Sequence, residues 1–366
     1  MRILILAPTL VGGGAERVAS LWANGFVEEG HEVAVATIGK QTKVMQYPIN
    51  SKVKLYDLNY GSLVRFIFYR IQSFAILLYY FVIRLFKPDL IIGVMPPYAY
   101  LAKKALCGLK IPVINTEHNS FERPSYAPLS KQDYKQKFER NKLFDQVTVL
   151  TQADKDFIGD RLTNVSVLPN PLSFISVNQL PEKKKSILAA GRFDDWHCKG
   201  FDVLLEAWAR IACQYEDWEL QIAGTGSKQN IIFIEGLIEK YNIKNRVKLL
   251  GFCTNLQDLY KESSIFVLSS RYEGFGMVLI EAMSQGCACI ACDYKGRQAE
   301  IITSSEEGII CPVDNVDALS RSIDKMISDD VYRKQVQLNA IKRSRFYDLK
   351  HTMKRWDCII QKVING

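Results

Sequence analysis

Short, uninterrupted hydrophobic runs recur along the chain, and longer segments that contain polar residues separate them. In the first half these runs read RILILAP, HEVAVATIG, DLIIGVM, PVINTEH, QVTVLT and VSVLPN. A second series reads SILAAGR, WELQIAGTG, VKLLGF, SIFVLSS, CACIACD and GIICPV. Continuous runs of this length are typical of parallel strands, because such strands are covered by helices on both faces.

The two series predict two doubly wound α/β domains with parallel sheets. Segments with helical periodicity, such as GGGAERVASLWANGFVEEG and KGFDVLLEAWARIACQY, lie between the strands. Alternating strands and helices are typical of Rossmann-like domains. The boundary is placed near LPNPLSF, so the predicted parts are residues 1–170, residues 171–345 and a C-terminal segment at 346–366.

Length and composition agree with two soluble domains. The chain has 366 residues, of which 48% are hydrophobic and 23% charged, and a chain of this length is usually divided into two domains. Nine cysteines, an odd number, are scattered without the spacing of a disulfide framework, which favours reduced thiols in the cytoplasm. The start MRILILAPT reads directly as a strand, so we expect no secretory signal.

The positive charge is concentrated in the first half of the chain. Residues 1–170 contain 21 Lys and Arg against 14 Asp and Glu, and residues 61–142 contain 13 against 5. The rest of the chain has 26 against 25. A basic half predicts an anionic partner surface, either lipid headgroups or nucleic acid. Because no nucleic-acid-binding motif accompanies the charge, we favour the inner face of the cytoplasmic membrane and expect no nucleic acid.

The stretch LVRFIFYRIQSFAILLYYFVIRLF at residues 63–86 allows two interpretations. Its uncharged part runs only from Ile71 to Ile83, which is too short to cross a bilayer as a helix. It is either a core helix of the first domain or a helix whose aromatic and arginine-rich face lies on anionic lipid. A second basic segment, KQDYKQKFERNK at 131–142, supports the lipid interpretation unless it is simply a solvated face.

The stretch RYEGFGMVLIEAMSQG predicts an anion site in the second domain. It follows the run SIFVLSS, so the turn lies at the carboxyl end of a strand and at the beginning of a helix. Gly274 and Gly276 let backbone amides approach an anion, and the helix dipole favours negative charge there. Glu281 lies a little over one turn into the helix, within reach of a hydroxylated group beside a phosphate. Glu273 lies in the loop. The alternative is that Glu281 only pairs within the protein.

A second anion site is predicted in AAGRFDDWHCKGFDVLLEAW. The strand SILAAG leads to Arg192, and Lys199 comes just before the helix that starts near Gly200. Arginine can bind a diphosphate through two parallel hydrogen bonds, and lysine adds a point charge. Their position after the first strand of the second domain makes the pair a candidate for binding a diphosphate.

The segment PTLVGGGAERV follows the first strand and opens the first helix. The amides of Gly12, Gly13 and Gly14 are expected to face the cleft between the domains, and Glu16 and Arg17 project from the first helical turn. The spacing is not GxGxxG, and the second strand ends in ATIGK without an acidic residue for a ribose. A dinucleotide-dependent oxidoreductase is therefore disfavoured.

His118 in INTEHNS ends another predicted strand of the first domain, and we assign it a functional role because it lies at a strand end that faces the cleft. His31 and His351 are interpreted as structural. Cys287, Cys289 and Cys292 do not predict a metal site, because on a strand the third side chain points away from the first two.

Together these motifs resemble glycosyltransferase family 4, which has the GT-B fold. The residues that carry the resemblance are the Glu-x7-Glu spacing in EGFGMVLIE, GR at 191–192, KG at 199–200 and GGGAERV near the start. The chain is most similar to bacterial transferases that build lipid-linked oligosaccharides, O-antigen or capsule. The resemblance implies two Rossmann-like domains across a cleft, anomeric retention, and catalysis without a metal or other cofactor.

The resemblance also implies roles for the residues of the second domain. Arg192 and Lys199 would hold the diphosphate of a nucleotide-sugar donor, expected to be a UDP-sugar, together with amides around Phe275 and Gly276. Glu281 would bind the ribose hydroxyls. Glu273 would lie near the hydroxyls of the donor sugar, and a covalent intermediate on it is disfavoured because the family does not use this position as a nucleophile.

In the first domain, His118 would lie at the reacting centre beside the sugar. Gly14 would approach the donor diphosphate, while Gly13 and Glu16 would lie on the acceptor side. The expected acceptor is a saccharide on a polyprenyl diphosphate or a related glycan. The segment HTMKRWDCIIQKVI would form a C-terminal helix that crosses back to the first domain.

One departure from the family pattern leaves the donor sugar open. Many relatives have Gly-Pro-x-Glu at the position that follows CACIACD in the second domain, where this chain has the longer GRQAE at residues 296–300. Two other functions stay open at this point. One is a sugar-nucleotide epimerase of the same architecture, and the other is a nucleotide-sugar-binding subunit without turnover.

Overall fold

The computed structural model describes residues 1–39, 47–58 and 72–365. The chain divides into two compact units, one of Met1–Ser173 with Leu349–Gly366 and one of Phe174–Asp348. Of the segment predicted to be either core or membrane-facing, residues 63–71 lie outside the described residues.

The first unit is built on a parallel sheet. Within the described residues its seven strands are β1 (Arg2–Ala7), β2 (Glu32–Thr37), β3 (Lys54–Asp57), β4 (Leu90–Val94), β5 (Val113–Thr116), β6 (Gln146–Val149) and β7 (Val165–Val167). Their spatial order is β3-β2-β1-β4-β5-β6-β7. The direction of winding reverses between β1 and β4, and α/β sheets bind ligands at the carboxyl edge of such a switch point.

Helices cover this sheet. They are α1 (Gly14–Glu28), α2 (Gln72–Phe86), α3 (Pro96–Ala105), α4 (Lys131–Tyr134) and α5 (Gln152–Ile158). A π-helical turn at Lys135–Glu139 and a 3-10 turn at Arg140–Leu143 continue α4. Apolar side chains of β1, β2 and β4 pack against α2 and α3 to form the larger core of this unit.

Strand β3 was not predicted from the hydrophobic pattern. It is the edge strand of the sheet, and its four residues, Lys54 to Asp57, are exposed or only partly buried. An edge strand with an open face has no continuous apolar run, so its sequence does not differ from that of a loop.

The second unit contains a six-stranded parallel sheet, of order β10-β9-β8-β11-β12-β13. These strands are β8 (Lys184–Ala190), β9 (Glu219–Ala223), β10 (Val247–Gly251), β11 (Ser263–Leu268), β12 (Ala288–Asp293) and β13 (Ile309–Pro312). The switch point of this sheet lies between β8 and β11, whose registers pair Ile187 with Ile265. The prediction of two doubly wound parallel sheets is confirmed.

The helices of the second unit pack on both faces of its sheet. They are α6 (Trp196–Lys199), α7 (Phe201–Ala209), α8 (Lys228–Lys240), α9 (Leu256–Glu262), α10 (Met277–Ser284), α11 (Val316–Ser328) and α12 (Asp330–Ser344). The main core is centred on α7, where the fully buried Trp208 donates its indole N–H to the Arg246 carbonyl at 3.1 Å. A satisfied indole can be buried without leaving an unpaired donor.

The last helix, α13 (Leu349–Asn365), belongs to the first unit and packs on α1. Trp356 of α13 meets Trp22 of α1 edge to face, with ring centroids 5.1 Å apart. Close approach of the two helices depends on Gly25, because a Cβ there would lie 2.6 Å from the Met353 sulfur. The C-terminal helix thus supports the side of α1 that carries Trp22.

Candidate active site

Four loops of the second unit leave the carboxyl ends of neighbouring strands. They follow β8 (residues 191–200), β9 (224–227), β11 (269–276) and β12 (294–300). Because the strands are parallel, these loops lie at one edge of the sheet, on either side of its switch point. All residues predicted to bind a nucleotide diphosphate or ribose in this unit lie on these loops or on helix α10.

An ion pair joins the loops on the two sides of the switch point. Lys199 Nζ lies 2.7 Å from Glu273 Oε1, and the Ser270 hydroxyl donates to the same oxygen at 2.8 Å. The side chains of Lys199 and Glu273 are only 22% and 14% exposed. Burial alone would lower the pKa of Lys199, but the attraction of Glu273 outweighs it and raises that pKa. Lys199 therefore carries a fixed positive charge at the switch point.

Gly200 lets the loop after β8 reach this position. Its φ is +64°, and a Cβ there would lie 2.1 Å from the Ser269 carbonyl oxygen. The Ser269 hydroxyl also donates to the Lys199 carbonyl at 2.8 Å. A side chain at position 200 would be strained and would push the two loops apart, so the Lys-Gly sequence is required by the close approach of the backbone.

Arg271 also links the loops that follow β8 and β11. Its backbone N–H donates to the Cys198 carbonyl at 2.8 Å, and its guanidinium forms two hydrogen bonds of 2.8 Å with the Asp202 carboxylate. It also pairs with Asp314. Burial would lower the pKa of Arg271, but these carboxylates raise it. A bidentate pair of this kind fixes orientation as well as distance.

Arg192, the other predicted phosphate-binding cation, differs from Lys199. Its side chain is 82% exposed, and its guanidinium lies 2.7 Å from the Asp195 carboxylate. An exposed pair of this kind contributes little to stability. Arg192 is therefore open to solvent in this structure, whereas Lys199 is held within the loops. Its predicted contact with a diphosphate stays a prediction.

Helix α10 begins at the glycine-rich turn. Gly276 precedes it with a φ of +96°, and the Leu279 amide donates to the Gly276 carbonyl at 2.9 Å. Phe275 is buried against the ring of Tyr347, with centroids 5.5 Å apart. The buried Phe275 ring fixes the position of the turn. The first backbone amides of the eight-residue helix α10 lie at the amino end of that helix, beside the turn.

Glu281 lies in α10 and is 2% exposed. The Tyr260 hydroxyl donates to Glu281 Oε2 at 3.5 Å. A carboxylate inside a hydrophobic helix is costly unless it is hydrogen-bonded. The structure thus places Glu281 in the interior of the unit, in the helix that follows the glycine-rich turn.

The glycine-rich loop after β9, with the sequence GTGS, was missed in the sequence analysis. Gly224 packs on the loop after β8, since a Cβ there would lie 1.9 Å from the Gly191 carbonyl oxygen. The Phe193 amide donates to the Thr225 carbonyl at 2.9 Å, and the Ser227 amide donates to Asp194 at 2.7 Å. The hydrogen bond from the Ser227 amide, together with one from the Asn230 side chain, lowers the pKa of Asp194. The signal was present as a Gly-x-Gly between a strand and a helix.

The GRQAE segment is anchored by one carboxylate. Asp293 accepts hydrogen bonds from the amides of Gly296, Gln298 and Ala299 at 2.7, 2.9 and 3.0 Å. The fully buried Gln298 donates to the Phe275 carbonyl at 3.4 Å. The longer segment is therefore an ordered part of the same edge, tied to the turn that precedes α10.

In the first unit, His118 lies just beyond β5. The Thr116 hydroxyl donates to the Gly93 carbonyl at 3.2 Å, and the same oxygen lies 3.0 Å from His118 Nε2. This arrangement favours the tautomer with the proton on Nε2. Trp22 covers the imidazole with its ring centroid 5.7 Å away. Burial lowers the pKa of His118 to about 4, although the Asn170 side chain acts in the opposite direction.

The glycines before α1 lie beside an internal carboxylate. A Cβ on Gly13 would lie 2.0 Å from Glu16 Oε2, so the Glu16 side chain folds back over the amino end of its own helix. Burial raises the pKa of Glu16, and a hydrogen bond with its own amide partly offsets this. Gly14 is the first residue of the helix, and Gly12 has a φ of +92°. The structure thus brings Gly13, Gly14 and Glu16 together.

A strained residue at the switch point of the first unit was also missed. Met95 follows β4 with a φ of 78°, and its amide donates to the Thr116 carbonyl at 3.1 Å. Positive φ is uncommon for a bulky residue, and such strain concentrates at functional sites. Pro96 and Pro97, which come directly after a strand, were the available signal.

The three cysteines on β12 and just before it are packing residues. Cys287, Cys289 and Cys292 are buried, and burial raises the pKa of Cys287 to about 11 and that of Cys292 to about 12. In the ranges that the structure describes, no group of three His, Cys, Asp or Glu side chains is arranged to hold a metal ion.

Two family descriptions match adjoining parts of the chain. "Glycosyltransferase Family 4" matches residues 12–173, and "Glycosyl transferases group 1" matches residues 173–343. The boundary between the two matches coincides with the end of the first unit's main segment at Ser173. Together they cover residues 12–343, which include every loop described above.

Similar proteins include two bacterial transferases. A Campylobacter jejuni protein named GalNAc-alpha-(1->4)-GalNAc-alpha-(1->3)-diNAcBac-PP-undecaprenol alpha-1,4-N-acetyl-D-galactosaminyltransferase is 26% identical over 100% of both chains. The amylovoran biosynthesis glycosyltransferase AmsD of Erwinia amylovora is 27% identical over 95% of this chain and 96% of its own.

The fold is also that of a solved structure. Anabaena HepE in complex with UDP superimposes with a TM-score of 0.77 at 18% identity, over 99% of this chain and 100% of that chain. The two sheets, the site loops and these matches lead to one conclusion. The chain belongs to glycosyltransferase family 4 and has the GT-B fold.

Proposed function

We propose that this glycosyltransferase transfers a sugar from a UDP-sugar to a saccharide on a polyprenyl diphosphate, with retention of anomeric configuration. The observation that carries the donor part is the buried Lys199 ammonium at the switch point of the second sheet, paired with Glu273. A fixed cation among glycine-rich loops and a helix amino end suits a diphosphate. That HepE was solved with UDP supports the choice of nucleotide.

The predicted binding residues of the second unit have distinct roles in the proposed donor site. Lys199, the exposed Arg192 and the amides at the start of α10 would hold the diphosphate. Glu281 would accept hydrogen bonds from the ribose hydroxyls, and Glu273 would face the sugar. Because Glu273 already neutralises Lys199, the diphosphate would share this cation with the carboxylate.

The chemistry requires stabilisation of the leaving group. When the bond between the anomeric carbon and the phosphate oxygen breaks, negative charge collects on UDP and positive character develops on the sugar. Lys199 and oriented amides are preorganised to meet that negative charge, which lowers the barrier without a divalent ion. In the proposed same-face attack, the departing phosphate oxygen takes the proton of the acceptor hydroxyl. Retention then needs no covalent intermediate on Glu273.

The acceptor is inferred from the relatives and from the first unit. The Campylobacter jejuni relative is named for a saccharide on PP-undecaprenol, and AmsD is named for amylovoran biosynthesis. The proposed acceptor side consists of Gly13 and Glu16, with neutral His118 at the reacting centre.

We further propose that the first unit binds an anionic membrane surface. Leu77, Phe81 and Leu85 form an exposed stripe on α2, spaced four residues apart and 46%, 60% and 70% exposed. Arg84 lies on the same helix, and the neighbouring α3 carries basic residues in its last turn. No helix within the described ranges is long and apolar enough to span a bilayer. An apolar stripe beside basic residues is typical of helices that lie in the lipid interface.

The transfer reaction is tested with UDP-sugars and polyprenyl-diphosphate saccharides. Mass spectrometry is expected to show addition of one glycosyl residue, and NMR of the product should show the anomeric configuration of the donor. EDTA should leave the rate unchanged. Interconversion of the donor sugar without acceptor would instead establish an epimerase, and an inverted product would contradict retention.

The ribose assignment is tested by Glu281→Gln. This change keeps the size of the buried side chain but removes its charge, so calorimetry is expected to show UDP affinity reduced roughly 10- to 100-fold. Glu235→Gln, at an exposed position of α8, serves as the matched control. Equal affinity of the Glu281 variant and the wild type, with both proteins folded, would rule out the ribose contact.

The protonation of His118 is tested by NMR titration. Its folded pKa of about 4 lies below the ordinary 6.5. The unfolded chain therefore takes up a proton between these pH values that the folded unit does not, and the free energy of unfolding falls as pH falls through this window. We expect the imidazole to stay neutral until pH approaches 4. His118→Asn should reduce proton uptake on unfolding at pH 5 by close to one proton, whereas titration near 6.5 would contradict a neutral buried ring.

The membrane surface is tested with Leu77→Ser, Phe81→Ser and Leu85→Ser combined. Vesicles that contain anionic phosphatidylglycerol should bind the wild type, and the triple variant should bind roughly tenfold or more weakly because it has lost three apolar anchors. Salt should weaken wild-type binding. Ile232→Ser, at an exposed position of the second unit, is the control. Equal binding to neutral and anionic vesicles would remove the electrostatic part of the proposal.

A further inference from the structure

We propose that Lys137 and Glu117 form a buried positioning pair that holds His118 at its place in the first unit. This inference rests on the proposed function only for the role of His118 at the reacting centre. The position of the imidazole and the pair that fixes it are properties of the first unit alone.

The Lys137 side chain makes three contacts with the segment that contains His118. Its Nζ lies 2.9 Å from Glu117 Oε2 and donates to the Asn119 carbonyl at 3.1 Å. The same ammonium lies 4.1 Å from the centroid of the Phe121 ring. These contacts lie before and after His118 in the chain. One ammonium therefore fixes the backbone on both sides of the histidine.

The pair belongs to a buried polar network. Asn141 donates to Glu117 Oε1 at 2.8 Å, so both carboxylate oxygens are satisfied, and Asn115 donates to the Asn141 side chain at 2.8 Å. The side chains of Lys137 and Glu117 are only 8% and 4% exposed. The buried Asn115 Oδ1 has no hydrogen-bond partner among the described residues, but both oxygens of Glu117 have one, and buried hydrogen bonds of this kind rigidify the segments that they join.

The local helix geometry places Lys137 in this network. The segment 131–142 was considered at the sequence level as a solvated or lipid-facing basic face, and for Lys137 that prediction is wrong. An α-helical turn changes to a π-helical turn at Lys135–Glu139, and Lys137 and Phe138 are buried there. A π-turn costs stability and is often found at functional sites.

The energetics favour a positioning role over a stabilising one. Burying two charges costs free energy that their attraction only roughly offsets, so well-packed apolar residues of similar volume often stabilise a protein equally well. What such residues cannot supply is a directional contact to a particular carboxylate and a particular carbonyl. The pair therefore contributes one defined conformation of the 117–121 segment.

The opposite end of the same strand supplies a matched control. Lys103 pairs with Asp145 at 2.8 Å, and that carboxylate accepts the Val113 amide at the start of β5 at 2.8 Å. His118 lies beyond the other end of β5. Loss of the Lys103 pair should affect the same sheet without displacing the imidazole.

The test compares Lys137→Met, the double variant Lys137→Met with Glu117→Gln, and Lys103→Met in the full chain. In the wild type, the Trp22 ring 5.7 Å away shifts the NMR signals of the His118 ring protons. We expect this ring-current shift to shrink in both Lys137 variants and to persist in Lys103→Met. We also expect kcat to fall roughly 10- to 100-fold in both Lys137 variants with the KM for the donor unchanged, because a displaced group at the reacting centre costs rate rather than donor binding.

The double variant separates positioning from folding. It removes the unpaired buried carboxylate, so its thermal stability should recover toward that of the wild type while the NMR shift and kcat do not. If the NMR signals of His118 are unchanged in both Lys137 variants, the positioning pair is wrong, whatever the activity. If His118→Ala retains full activity while Lys137→Met displaces the ring, the pair stands and the proposed role of His118 fails.

Discussion

The candidate site of the second unit is organised around one interaction, the ion pair between Lys199 and Glu273 across the switch point of its sheet. The two loops follow β8 and β11, which are neighbours in space but about 80 residues apart in sequence. Gly200 permits the close contact of the two loops, and Arg271 holds them together, so that the loops form one surface. The pair is partly buried and is therefore less screened by salt than a surface pair, and it keeps the lysine charged where a phosphate would need it.

In each unit, a carboxylate side chain of the protein lies beside a group that is proposed to bind an anionic ligand. Glu273 neutralises Lys199, and Glu16 folds over Gly13 at the amino end of α1. An empty anion site with unpaired cations and amides would be costly in a partly buried place. These carboxylates lower that cost, and in the proposed reaction a phosphate would have to compete with them.

The sequence predicted the parts of the fold that rest on repeating patterns. Buried parallel strands produce continuous apolar runs, so both sheets were found, and a turn between a strand and a helix located Glu273, Gly276 and Glu281. Strand β3 was missed because an exposed edge has no such run. The burial of Lys137 was missed because a π-helical turn changes which residues of a helix face inward, and no spacing rule records that change.

Arg192 and Lys199 show that two residues close together in the sequence need not be held in the same way at a site. Seven positions separate them, and both were predicted to hold the same diphosphate, yet one side chain is 82% exposed and the other 22%. The difference comes from Gly200 and Ser269, which draw only the end of the loop onto β11. Lys199 is consequently preorganised, whereas any contact made by Arg192 must first order a mobile exposed side chain at an entropic cost. In the proposed reaction, Lys199 would therefore supply a constant part of the electrostatic stabilisation of the diphosphate. The part supplied by Arg192 would depend on whether its side chain becomes ordered.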